Sequence, residues 1–140
     1  MPHALKETAN NPRSVVILDD ERSYVDSMAK LVSDNLNCTV HAFARAEAAL
    51  AELPGISAAV IVTDYFMPQM DGVEFILEAS KIVPDAVFIM ISGHDLNPIE
   101  ENITLLKNLR ACLQKPVASQ PLVEAILKAW PGDDRPAVRS

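Results

Sequence analysis

The sequence predicts a doubly wound α/β fold, a five-stranded parallel sheet inside a three-layer sandwich. Five short apolar runs rich in valine and isoleucine alternate with amphipathic segments, which is the pattern of successive βαβ units. The first and third runs are almost continuously apolar, as expected of central strands covered on both faces by helices. A length of 140 residues suits one domain with one real hydrophobic core.

The elements follow in chain order. Residues 1–13 read as a flexible N-terminal extension, and residues 14–130 as the folded domain. The strands are Ser14 to Leu18, Cys38 to Phe43, Ala58 to Val62, Ala86 to Ile91 and, weakest, Arg110 to Leu113. Val25, Met28, Leu31, Val32 and Leu36 recur at three- and four-residue spacing, as do Ala46, Ala49, Leu50 and Leu53, and then Val73, Ile76 and Leu77; each set makes one apolar helix face. Asp71 followed by Glu74 is a capping-box pattern, and Asn97, Pro98 and Glu100 mark another helix start. The last helix should run from about Ser119 to Trp130, where Pro131 and Gly132 end it, leaving residues 131–140 as a flexible tail. No repeat or internal linker is evident. In such folds ligands bind at the carboxyl ends of the strands, where the strand order reverses.

Composition excludes several classes of function. Hydrophobic residues make up 49% and charged residues 22%, and no apolar run is long enough for a membrane span. The start, MPHALKETANNPRS, is neither a secretory signal nor an anchor, so a cytoplasmic protein without a membrane partner is expected. A net charge of -7 without a lysine and arginine stripe argues against a nucleic-acid surface. Cys38 and Cys112 lie far apart in apolar segments and read as reduced, buried thiols rather than metal ligands.

The residues just after the apolar runs carry the chemistry. They are Asp19 and Asp20 after the first, Asp64 after the third, Ser92 after the fourth and Lys115 near the fifth. Three converging carboxylates repel one another by roughly 4 kcal/mol per pair at about 4 Å and an effective dielectric near 20, so the cluster needs a cation or protons. Its hard oxygen ligands suit Mg2+ or Mn2+, not zinc. A lysine amine and a serine hydroxyl beside them suit a phosphoryl group. Taken singly, each residue has a plainer role: Asp20 as a helix cap, Asp64 and Ser92-Gly93 as turn residues, Lys115 as a solvated side chain. Their conjunction at four strand ends points to a site.

The stretches VVILDDE, VTDYFMPQMDG, MISG and LQKP, in this order, resemble the receiver domain of two-component response regulators over roughly residues 14–130. The resemblance implies a flavodoxin-like strand order 2-1-3-4-5 and a stand-alone phosphoacceptor domain, switching or relaying a signal and not a turnover enzyme. Asp64 would be the phosphate acceptor. Asp20 and Asp64 would bind Mg2+ directly, Asp19 mainly through a water, and Phe66 through its carbonyl. Ser92, Gly93, Lys115 and Pro116 would bind the phosphoryl group and form the switch, with a cis bond between Lys115 and Pro116. The implied partners are a histidine kinase or histidine phosphotransfer protein and a downstream protein target, and the family admits a homodimer. Cys112 departs from the pattern, because an aromatic residue usually stands there, so it is an atypical switch position. Phe66 and His94 flank the acceptor where the family tunes phosphate lifetime; His94 reads equally as an exposed loop residue.

Three other readings compete. A pseudo-receiver or docking adaptor would work without phosphorylation. A phosphohydrolase of the haloacid-dehalogenase-like group calls for a second aspartate where Phe66 stands. A nucleotide kinase or GTPase needs a G-x-x-x-x-G-K-S/T loop, which is missing among four glycines. With no output domain expected after residue 130, the effect should pass through protein contacts.

Overall fold

The computed structural model describes residues 13–93 and 106–139. Five strands, β1 (Ser14–Leu18), β2 (Val40–Phe43), β3 (Ala58–Asp64), β4 (Val87–Ser92) and β5 (Leu109–Gln114), form one sheet. All four pairings are parallel and the order is β2-β1-β3-β4-β5. The helices are α1 (Arg22–Asn35), α2 (Ala46–Glu52), α3 (Gly72–Ile82) and α4 (Ser119–Ala129). This is the doubly wound fold that the alternation predicts, in the expected order.

Successive strand residues point to opposite faces, so each central strand feeds two cores. Val15, Ile17, Val60, Val62, Ile89 and Ile91 pack with Val25 and Val32 of α1 and Leu122 and Ile126 of α4. Val16, Leu18, Ile61, Phe88 and Met90 pack with Ala49 of α2 and Phe75, Ile76 and Ala79 of α3. Apolar on both faces, β1, β3 and β4 can exist only as inner strands.

Several boundaries differ from the expected ones; β5 runs one residue further at each end, β4 starts one residue later, and α4 ends at Ala129. β3 and β4 each run on to a polar residue, Asp64 and Ser92, because ladder bonds do not depend on side-chain polarity. β2 starts at Val40 rather than Cys38, since Cys38 N donates to Leu36 O and Asn37 N to Ala137 O, outside the parallel ladder. Both cysteines are half-buried, not buried, and neither is in a disulfide. Residues 131–139, expected as a loose tail, instead lie against the end of α1. Arg139 Nε donates to Ser33 O at 2.9 Å, Arg139 N donates to Asn35 O at 2.7 Å, and Val138 bridges Leu36. Carbonyls at a helix C-terminus lack intrahelical donors, and these bonds supply them. Asp134 joins this segment to both ends of the domain, accepting from Trp130 Nε1 at 3.0 Å and pairing with Arg13 at 3.2 Å. His94, the helix start at Asn97, Pro98 and Glu100, and most of the N-terminal extension lie outside the described residues.

Candidate functional site

Strand register brings the acidic residues together. Leu18 pairs with Thr63 between β1 and β3, so the next position sets Asp19 beside Asp64 at the carboxyl edge of the sheet. Asp64 itself is opposite Ile91 in β4, and Ser92 is opposite Gln114 in β5, which puts Lys115 one step beyond. Lys115 N donates to Ser92 O at 2.8 Å, and the Lys115-Pro116 peptide is cis, as expected from the LQKP stretch.

Asp19, Asp64 and Ser92 are buried, whereas Asp20 is exposed. One carboxylate oxygen from each of Asp19, Asp20 and Asp64 lies within 4.8 Å of the others. The Lys115 ammonium stands 2.8 Å from Asp19 Oδ2 and 3.4 Å from Asp64 Oδ1. Asp19 Oδ1 accepts from Glu21 N at 2.9 Å, and Oδ2 is buried against the Lys115 ammonium. Among the described residues one cation thus faces three carboxylates, an excess of negative charge. Burial first, and then the Asp19 charge, push the Asp64 carboxyl up to about 6 despite the nearby amine. Burial opposes the charge on Lys115, but its bonds and charge contacts to Asp19 and Asp64 outweigh this and hold its pKa above the ordinary lysine value.

The donor set fits a hard divalent cation. Two oxygens bound to one Mg2+ at about 2.1 Å stand about 3 Å apart in cis and about 4 Å apart in trans. Three carboxylate oxygens within 4.8 Å of one another are close enough to share such an ion. With three carboxylates facing the Lys115 ammonium, the negative charge left over is what such a cation would balance.

Neighbouring backbone holds this cluster in place. Thr63 Oγ1 donates to Asp64 O at 3.0 Å, and Tyr65 N donates to Ile91 O at 2.8 Å. Gly72 opens α3 directly against the strand end: a Cβ there would come within 2.8 Å of Asp64 O and 3.0 Å of Tyr65 Cα. Asp71 caps α3 in a two-way capping box with Glu74, as the sequence predicts. Asp20 does not cap α1, whose N-cap is Glu21 without a side-chain bond. Phe66 is 55% exposed on the rim with its ring edge-on to Tyr65, and Cys112 packs half-buried against the α2 and α3 core.

One neighbour of the site escapes sequence reasoning. The Tyr24 ring lies under the Lys115 ammonium, 4.7 Å from its centroid, and the Tyr24 hydroxyl accepts from Val117 N at 3.4 Å. An aromatic residue in the first turn of an amphipathic helix reads as core. The available signal was its place four residues after Asp20, at a helix start beside the strand ends.

The chain matches the family model described as the response regulator receiver domain over residues 15–127. It is 29% identical over 116 residues to the C4-dicarboxylate transport transcriptional regulatory protein DctD of Rhizobium meliloti, covering 83% of this chain and 25% of that protein. It is 31% identical over 116 residues to the transcriptional regulatory protein FixJ of the same organism, covering 83% of this chain and 56% of that one. The chain thus spans about a quarter and about half of these relatives' lengths. Among solved structures, FixJ-N aligns with a TM-score of 0.72 at 32% identity, covering 84% of this chain and 92% of that one. A response regulator receiver domain protein from Clostridium thermocellum aligns with a TM-score of 0.73 at 25% identity, covering 84% and 93%. No helix of the described residues is long and apolar enough to cross a membrane.

Proposed function

Because the chain belongs to the response regulator receiver domain family of two-component signal transduction, we propose that it accepts a phosphoryl group on Asp64 from a histidine kinase or histidine phosphotransfer protein. A carboxylate oxygen of Asp64 attacks phosphorus, the donor's P–N bond breaks with its electron pair returning to the imidazole, and a P–O bond makes an acyl phosphate. A carboxyl group whose pKa is pushed up to about 6 is mainly ionised above pH 7, so the nucleophile needs no base. Asp19, Asp20 and Asp64 with the Phe66 carbonyl would hold Mg2+, which would supply positive charge beside the transferred group. Lys115 contributes a second positive charge, already paired with Asp19 and Asp64. The Ser92 hydroxyl and the Gly93 backbone, at the end of β4, would meet the new phosphoryl oxygens, and their shift toward them would turn phosphorylation into a change of surface.

The observation that carries this reading is the convergence of three carboxylates within 4.8 Å with one ammonium 2.8 and 3.4 Å from two of them. A downstream protein target reads the result. Two relatives are transcriptional regulatory proteins of greater length, so a nucleic acid stays among the partners to be tested. Mass spectrometry after incubation with phosphoramidate and Mg2+ should find one hydroxylamine-labile phosphoryl adduct, lost in Asp64→Asn. Persistence of the adduct in that variant would sink the assignment. A wild-type protein that takes no phosphoryl group would instead favour the docking-adaptor reading, to which the atypical Cys112 belongs.

A further inference from the structure

Lys115 has one partner that neither its charge nor its strand position requires. The Tyr24 ring, carried on the first turn of α1, sits 4.7 Å from the ammonium, on a side chain that is only 25% exposed. The same tyrosine's hydroxyl accepts from Val117 N, two residues beyond the lysine. Tyr24 therefore touches both the reacting end of Lys115 and the backbone that launches it. We infer that Tyr24 is a positioning residue for phosphoryl transfer: its ring holds the Lys115 ammonium between the two carboxylates, and its hydroxyl docks the Lys115 to Val117 turn onto α1.

The physics distinguishes this contact from the ion pairs beside it. Asp19 lies nearer to the amine than Asp64 does, 2.8 against 3.4 Å, so electrostatics alone draws the amine toward the carboxylate that does not react. A ring face attracts a cation over a broad area and offers no single acceptor atom. The amine can slide toward Asp64 and an incoming phosphoryl group without losing that support. The ring also shields the ammonium from water on one side, which strengthens its remaining charge contacts. Leucine at position 24 would keep apolar packing against the α1 and α4 core, of which Tyr24 is a part, but would offer no quadrupole.

This inference rests on the acceptor reading of Asp64, and its test separates the two. In the full chain, NMR should find the Lys115 Hε protons shifted upfield by the ring, in wild type and in Tyr24→Phe but not in Tyr24→Leu. An unshifted Lys115 in wild type would overturn the proposal, whether or not the protein takes phosphate and whether or not any variant folds. With phosphoramidate and Mg2+, Tyr24→Leu should lower the second-order phosphorylation rate roughly threefold to tenfold, and Tyr24→Phe by less than about twofold. In a Lys115→Gln background, Tyr24→Leu should cause no further loss, because the ring acts through the amine. An equal loss with and without Lys115 would make Tyr24 a packing residue only and overturn the role. A wild type that takes no phosphoryl group would overturn the acceptor reading and the transfer role together, and the ring-current shift would then report the contact alone.

Discussion

Replacing Asp64 by asparagine should make the metal-free protein more stable, although it removes the proposed reactive group. Asp64 is 5% exposed, and burial together with the Asp19 charge raises its carboxyl from 3.8 to about 6. Below about pH 4 the carboxyl is protonated in both folded and unfolded chains and contributes no penalty. Between about 4 and 6 the unfolded chain loses this proton and the folded one does not, so folding loses about 1.4 kcal/mol per pH unit. Above about 6 the penalty is constant, at about 3 kcal/mol for a carboxyl raised from 3.8 to about 6. Lys115 keeps its closer partner in the variant, Asp19 at 2.8 Å, so no buried cation is orphaned. The new amide must still find bonds in a buried place, which costs about 1 kcal/mol and leaves a net gain of about 1 to 3.

Urea unfolding in EDTA, followed by the fluorescence of the buried Trp130, measures this directly. The gain in Asp64→Asn should be present at pH 8 and nearly absent at pH 4. Added Mg2+ should stabilise the wild type by about 1.4 kcal/mol at ten times its dissociation constant, and the variant much less. Equal gains at both pH values would refute the reasoning, because a pH-independent effect cannot arise from carboxylate repulsion. A destabilised variant at pH 8 would mean that Lys115 neutralises the cluster more completely than the one cation against three anions implies.

Three further perturbations test other parts. Asp20→Asn should weaken Mg2+ binding about tenfold or more, as read by calorimetric titration, since it removes charge and a ligand together; unchanged affinity would misplace the cation. Gly72→Ala should destabilise by about 1 to 3 kcal/mol in urea melts and slow phosphorylation, because its Cβ would sit 2.8 Å from the Asp64 carbonyl oxygen and push the strand end aside. Asp134→Ala should cost about 1 kcal/mol at pH 7. Bonds from Arg13 hold the Asp134 pKa down to about 2, so that contribution is present above the ordinary carboxylate range and should fade as pH falls through it toward 2.

Much of the fold was legible because the sheet's inner strands are apolar on both faces and its helices on one. Val15 to Leu18 can be read as a covered strand without knowing its neighbours, and the capping pattern at Asp71 and Glu74 fixes the start of α3 locally. The docked C-terminal segment was not legible. Its bonds run from Arg139 to the main-chain carbonyls of Ser33, Asn35 and Leu36, about a hundred residues away, and main-chain acceptors leave no mark in a sequence. Proline and polar composition reads as a loose end even when backbone groups elsewhere need partners.

The site divides along the same line. Asp19, Asp20, Asp64, Ser92 and Lys115 were legible because strand register does the assembling: once the runs are parallel neighbours, every residue that follows one must arrive at the same edge. Tyr24 is not at a strand end, and its spacing serves the apolar face of α1 as well as it serves the amine. Its contact joins residues 24 and 115 from opposite ends of the chain through a ring face, which has no donor or acceptor to advertise it. A residue that does two jobs with one side chain shows in the sequence only the commoner of them. The aromatic that the family's pattern leads one to expect at Cys112 is absent, yet an aromatic still touches the lysine, and it comes from α1 rather than β5. The aromatic contact to the Lys115 ammonium therefore lies on its α1 side, apart from Tyr65 and Phe66, which follow β3.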